Sequence, residues 1–178
     1  WDLNGNVSEW TGGIRTVYGE LQLLANNNAA DSNNPQSADA ATWKAIDATT
    51  GNFVDPNGSG TTTGTVKVDK VNNKPQYRTV VEKQSDSFNS VISDVTCDAT
   101  IEDAAKAVLI AYGLLADDSG FNYEGDVLYF NNVAAERLFY SGGSYAFTTG
   151  AGVFCANGYY SRTDVYAFIG FRSAYVAL

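Results

Sequence analysis

Histidine is absent from the 178 residues, and only two cysteines, Cys97 and Cys155, occur. Without His the chain lacks the commonest transition-metal ligand and the usual general base. Two separated thiols add too little to support zinc or copper chemistry. They are also too few for a disulfide scaffold, and we read both as free. No apolar run approaches the ~20 residues that span a bilayer, and no signal-peptide pattern is visible, so a soluble chain is expected. The chain opens without Met, on Trp1 and Asp2 inside a motif, which predicts residues missing upstream.

A sharper absence is local. The last 39 residues, Tyr140 to Leu178, contain no Lys, Glu, Gln or Trp, although the rest of the chain uses all four. Randomising an Asn codon that ends in a pyrimidine, at its two adenines, reaches every residue type except Lys, Glu, Gln, Met and Trp. The tail therefore reads as a genetically diversified binding surface on a constant body. The alternative is a glycine-rich terminal pair of hairpins that lacks long side chains.

The net charge is -9. Phosphate backbones and anionic membrane surfaces repel such a chain, so neither nucleic acid nor a membrane is expected as partner. The acidity belongs to the body, because Arg162, Asp164 and Arg172 are the only charges of the tail. The proposed working face is nearly neutral.

The length suits one domain spanning 1–178, with a real core. Three regions separate along it. Trp1 to Leu24 places Val7, Trp10, Ile14 and Val17 among Gly5, Gly12, Gly13 and Gly19, the pattern of strands joined by tight turns. Ala25 to Thr100 is rich in Asn, Thr, Ser, Asp and Gly and resembles an insertion more than a core. Asp55-Pro56-Asn57-Gly58 is a turn signal there, and Val66, Val68 and Val71 alternate as in a strand, which predicts a hairpin excursion. Trp43, Ile46, Phe53, Val80, Val81, Phe88, Val91 and Ile92 should anchor it on the body.

From Thr100 the pattern turns helical. Thr100 is the expected N-cap with Asp103 at the capping-box position. Ile101, Ala104, Ala105, Val108, Leu109, Tyr112 and Leu115 follow at helical spacing, with Gly113 ending or weakening the last turn. Val127, Leu128, Tyr129 and Phe130 then read as a buried strand. In the tail, Val153, Phe154, Ile169 and Phe171 are apolar brackets suited to burial, and the residues between them, without periodicity, should be displayed.

Gly5-Asn6-Val7-Ser8-Glu9-Trp10 resembles the Gly-Asn-Val-Trp-Glu-Trp motif of the formylglycine-generating-enzyme branch of C-type lectin folds. Gly142-Gly143-Ser144 and Gly170-Phe171-Arg172 are similar to that branch's closing motifs. The order Glu136-Arg137-Leu138, Gly-Gly-Ser, Ala-Gly-Val-Phe, Ser-Arg and Ile-Gly-Phe-Arg-Ser-Ala looks like the variable proteins of diversity-generating retroelements, above all those of gut bacteriophages. The motifs cover Trp1 to Glu20 and roughly Ile101 to Leu178. Ser141 stands where the family often has Arg, and Ser8 where it often has Trp, so one ion pair and some core packing of the family are expected to be missing.

The resemblance implies an α+β fold of the C-type lectin type, with small antiparallel sheets, one or two helices and a polar insertion. It implies a receptor-recognition protein with a hypervariable face, carried on a phage virion tail or, alternatively, displayed on a bacterial cell surface. The expected partner is a bacterial cell-surface protein or glycan, with other phage tail proteins possible. The ligand-binding set is Tyr145, Ala146, Phe147, Thr149, Gly150, Cys155, Asn157, Tyr159, Tyr160, Asp164, Tyr166, Ala167 and Phe168. Large aromatics with Ser, Asn, Thr and Gly are the composition of antibody paratopes. Enzymes of that branch use paired cysteines or histidine-bound iron, which this chain does not offer, so neither catalysis nor a cofactor is expected.

Two other readings stay open: a calcium-dependent carbohydrate-binding lectin and a structural phage tail subunit. The first lacks the expected Glu-Pro-Asn or Gln-Pro-Asp signature. Asp117, Asp118, Glu124 and Asp126 could bind calcium, although a solvated acidic loop is the commoner explanation, and no metal ligand is assigned. Glu9 and Arg172 are expected to pair across the two ends of the chain, since each lies among apolar residues.

Overall fold

A computed structural model describes residues 7–117, 119, 120, 123, 125–144 and 155–170. Among these residues twelve strands run in order: β1 (Ser8–Val17), β2 (Glu20–Leu23), β3 (Lys44–Ile46), β4 (Phe53–Val54), β5 (Lys67–Val71), β6 (Lys74–Arg78), β7 (Phe88–Val91), β8 (Thr96–Cys97), β9 (Val127–Phe130), β10 (Arg137–Ser141), β11 (Ala156–Tyr160) and β12 (Ile169–Gly170). One α-helix, α1 (Asp103–Ala111), lies between β8 and β9, and short 3-10 turns cover Ala25–Ala30 and Ile92–Asp94.

All twelve strands belong to one mixed sheet, whose main path is β7-β9-β11-β10-β1-β2-β5-β6-β8. Most neighbours are antiparallel, but β1 with β12, β9 with β11 and β6 with β8 run parallel. The fold is therefore mostly β. This corrects the expected α+β architecture of small antiparallel sheets, and a C-type lectin fold is not shown. The physical reason lies in the middle of the chain, where strands of two to five residues mix polar side chains, some of them buried, with few apolar ones and give little periodic signal.

The hairpin of β1 and β2 turns on Tyr18 and Gly19, both at positive φ. Gly12 and Gly13 do not make a second turn. They form a bulge inside β1, where the register with β10 shifts between Thr11 and Arg15. Asn72 and Asn73, also at positive φ, close the β5–β6 hairpin. Asp55 to Gly58 opens the long connection from β4 to β5 instead of joining a hairpin.

One face of the central strands is apolar. Ile14, Leu21, Leu23, Val68, Tyr77, Leu128, Phe130 and Phe139 meet there with Ile101, Ala105 and Leu109 around α1. Tyr77 crosses Phe130 edge-on at 6.2 Å, and its hydroxyl donates to Leu114 O at 2.8 Å. The stretch read as insertion-like thus supplies Trp43, Ile46, Val66, Val68, Tyr77, Phe88 and Ile92 to the buried set, while Val80 faces solvent. Thr100 does not cap the helix. Its hydroxyl is engaged by Asp98, and Glu102 takes the N-cap position without a side-chain bond. Gly113, at positive φ, follows the last turn as expected.

The opposite face carries a buried polar row. Arg15 and Gln22 are cross-strand partners, as are Glu20 and Lys67. Arg15 Nε donates to Gln22 Oε1 at 2.9 Å, Gln22 Nε2 to Glu20 Oε1 at 2.9 Å, and Lys67 Nζ lies 3.7 Å from Glu20 Oε2. The segments 25–43 and 59–65 cover the row. Trp43 packs under the Arg15 guanidinium at 4.3 Å, and Thr62 N donates to Glu20 Oε2 at 3.0 Å. Each buried charge therefore has a partner, which is what makes its burial tolerable.

Candidate functional site

β11 lies between β10 and β9 and leads into a tight loop that returns to β12 beside the start of β1. The loop closes on itself. Ser161 N donates to Asp164 Oδ2 at 2.7 Å, and Asp164 N donates back to Ser161 O at 3.1 Å. Ile169 N then donates to Tyr166 O at 3.1 Å. This geometry brings residues 166 and 168 back over the end of β11.

Four aromatic rings meet there. Tyr160 is 5.0 Å from Tyr159, 4.8 Å from Tyr166 and 6.2 Å from Phe168, and Tyr166 stacks on Phe168 at 5.1 Å. Beneath them Tyr140 holds Tyr160 at 5.6 Å and crosses Trp10 edge-on at 6.0 Å. Tyr140 is buried, Tyr160 and Phe168 are half-buried, and Tyr159 and Tyr166 are exposed. The cluster is thus a graded ladder from core to solvent. Next to it a cleft of about 490 Å³ is lined by Trp10, Asp164, Val165, Tyr166, Ile169 and Gly170.

The electrostatics of this end are nearly neutral. Burial, with the neighbouring Tyr166, Tyr159 and Asp164, raises the Tyr160 phenol above its ordinary value, so it stays uncharged near pH 7. Burial also raises Tyr140, helped by Tyr160. Its hydroxyl makes no well-formed hydrogen bond, although the Asn157 side chain lies close enough to oppose that rise. Arg162 is held by Glu136 through Nε at 3.1 Å and Nη2 at 2.9 Å, and Glu136 also accepts from Arg15 Nη1 at 2.7 Å.

Of the thirteen expected ligand-binding residues, Tyr145, Ala146, Phe147, Thr149 and Gly150 lie outside the described residues. Tyr159, Tyr160, Tyr166, Ala167 and Phe168 come together at the surface. Cys155 and Asn157 do not join them. Both are buried, Cys155 as a free thiol and Asn157 with its Oδ1 accepting from Tyr159 N at 2.9 Å, so neither is displayed. Asn157 lies on β11 and Cys155 immediately before it, in the part of the sheet between β10 and β9. Asp164 is half-buried and serves the loop turn.

Sequence reasoning passed over Val165, which is 90% exposed at the tip of the loop, and Trp10 and Tyr140 as supports of the ladder. A lone branched apolar residue between Asp164 and Tyr166 was the available sign for the first. The expected partner of Glu9, Arg172, lies outside the described residues, as do Asp118 and Glu124 of the acidic stretch. Asp117 Oδ1 accepts from the hydroxyls of Ser119 and Tyr123. Among the described residues no group of three or more carboxylates or thiols is placed to hold a metal ion. No protein-family model matches the chain, and no curated protein matches it.

Proposed function

We propose that the chain is a ligand-recognition module, not an enzyme, and that it binds through the aromatic face of Tyr159, Tyr160, Tyr166 and Phe168, with Val165 and Ala167 at its edge. The observation that carries the reading is the ladder itself: four contiguous rings, two of them exposed, supported from below by Tyr140 and Trp10. Soluble monomers seldom keep such a patch without a partner. Rigid aromatics with a neutral surround suit a site where binding energy concentrates in a few side chains. The absence of histidine supports a role without acid–base chemistry.

The resemblance to variable proteins of diversity-generating retroelements extends this reading. On it, the module recognises a bacterial surface protein or glycan from a phage tail or from the surface of the producing cell. The C-type lectin architecture is not part of the proposal. Two experiments test it. Sequencing the neighbouring DNA should reveal a reverse transcriptase and a near-copy of the tail with Asn-rich codons. A bacterial surface component retained by the immobilised protein should bind a Tyr160→Ala variant roughly 30-fold more weakly, the loss of about 2 kcal/mol typical of a hot spot. Unchanged affinity after single truncation of each of the four aromatics would place the site elsewhere.

A further inference from the structure

A second cleft lies at the other end of β1, roughly 25 Å along the strand from Trp10. Its volume is about 720 Å³, within the ~300–1,000 Å³ common for small-molecule sites. Tyr18 and Val80 form its apolar wall, and the loop 59–64 with Thr79 and Gln84 forms the polar one.

Tyr18 is an unexpected residue for its position. It sits in the β1–β2 turn at φ 46°, a conformation that favours Gly, Asn or Asp and strains a bulky side chain. The turn is fixed from three sides. Tyr18 N donates to Ala134 O at 2.8 Å, a side chain at Gly19 would meet Asn132 and Val81, and Gly60 passes so close that a Cβ there would stand 2.2 Å from Val17 O. Strain held in place by its surroundings clusters at functional positions. Tyr18 nevertheless remains 40% exposed at the cleft.

The polar wall presents the uncharged hydroxyl and amide groups of Thr63, Thr79 and Gln84. Lys67, the one charged residue of the lining among the described residues, spends its donors inside the protein, on Thr62 O at 2.6 Å and Thr65 Oγ1 at 2.9 Å, and is balanced by Glu20. Desolvation lowers its pKa, against the opposing pull of Glu20. Thr62 is held on both sides, its N–H by Glu20 and its carbonyl by Lys67. Among the described residues no hydrogen bond engages Tyr18 Oη, Thr63 Oγ1, Thr79 Oγ1 or the Gln84 amide.

We propose that this cleft binds a neutral carbohydrate, a glycan segment of one or two sugar rings. A sugar combines an apolar C–H face, which stacks on an aromatic ring, with a rim of hydroxyls that both donate and accept. Tyr18 supplies the ring, and Thr63, Thr79 and Gln84 supply uncharged partners of both kinds. A purely apolar ligand would bury those groups unpaired, at a penalty of about 1–3 kcal/mol each. Among the described residues that line the cleft, an anionic ligand would find no unpaired cation, because Lys67 is already matched by Glu20.

The site is independent of the aromatic ladder, and the test separates the two. The intact protein, labelled with ¹⁵N, is titrated with a panel of neutral oligosaccharides and with glucuronic acid and a hexose phosphate. At least one neutral sugar should shift the amide signals of Tyr18, Thr63 and Gln84, and the charged sugars should not. Tyr18→Asn keeps a residue suited to positive φ, so it should fold and lose at least tenfold in affinity, whereas Tyr160→Ala should bind the same sugar normally. Failure of every neutral sugar at millimolar concentration, preference for the charged ones, or unchanged binding in Tyr18→Asn would overturn the proposal.

Discussion

Gly158 and Tyr159 are adjacent in a stretch whose residue types give no hint of order, yet they meet opposite constraints. A Cβ at Gly158 would stand 2.6 Å from the Phe139 ring, which is buried and braced edge-on against Phe130 at 5.9 Å, so the ring has nowhere to move. Tyr159 projects to solvent at the top of the ladder. Gly158→Ala should therefore destabilise the protein by about 1–3 kcal/mol, the range for overpacking. Tyr159→Ser should stay within about 0.5 kcal/mol, as for an ordinary surface change. Denaturant unfolding of the two variants checks this, and equal losses would mean that Tyr159 is part of the core. Within the described part of the tail, tolerance to substitution should therefore differ from residue to residue along β11. Cys155 and Asn157, buried as they are, belong with Gly158.

Between elements, Glu136 is the joint that fastens the loop after β11 to the sheet. It stands just before β10 and holds Arg15 of β1 and Arg162 of the loop. Desolvation raises its pKa, but the hydrogen bonds from Arg162 and Arg15 outweigh it and leave the carboxyl below its ordinary value. The folded state thus binds this proton more weakly than the unfolded chain. The stability it contributes is complete above the unfolded pKa, about 4.3, and is lost as pH falls through the lower folded value. Glu136→Gln should lower the melting temperature at pH 7 and shrink the difference from wild type toward pH 3. A constant difference across that range would remove the charge from the explanation. The same scale shows what the sequence could and could not tell. The apolar run Val127 to Phe130 and the helical spacing of Ile101, Ala105 and Leu109 each announce one element, because burial on one side leaves a local period. Glu20, Gln22 and Lys67 hide theirs, since they are polar and buried, a pattern that reads as exposed surface or loop. The parallel pairings of β6 with β8 and β9 with β11 join strands far apart in the chain and leave no short-range mark. The aromatics of the candidate site stand out in composition, whereas the burial of Cys155 and Asn157 depends on long-range packing around β11 that leaves no local mark.

At the scale of the whole molecule, the aromatic face rests on a sheet whose apolar core lies elsewhere, around Phe130, Tyr77 and α1. Replacing Tyr159, Tyr160, Tyr166 and Phe168 together with Ser should leave the protein folded. The half-buried contacts of Tyr160 and Phe168 make the change a loss of roughly 2–3 kcal/mol, or on the order of 5–10 °C in Tm for a chain of this size. Collapse of the fold in calorimetry would show that these rings are core. The face is also tied to the far end of the chain: Ser8 Oγ donates to Gly142 O across 134 positions, and β1 pairs with β12 at Ser8 and Glu9. Such distant closure makes for slow folding, because the entropy of a long loop is lost before its contacts form. At ~5–20 residues per second, the ribosome delivers β10 roughly 10 s after β1, and for that interval one edge of the first strand stands unpaired. An open edge invites pairing with other nascent chains. The bulge at Gly12 and Gly13 and the charge of Arg15 are the features that make this waiting edge a poor template for them.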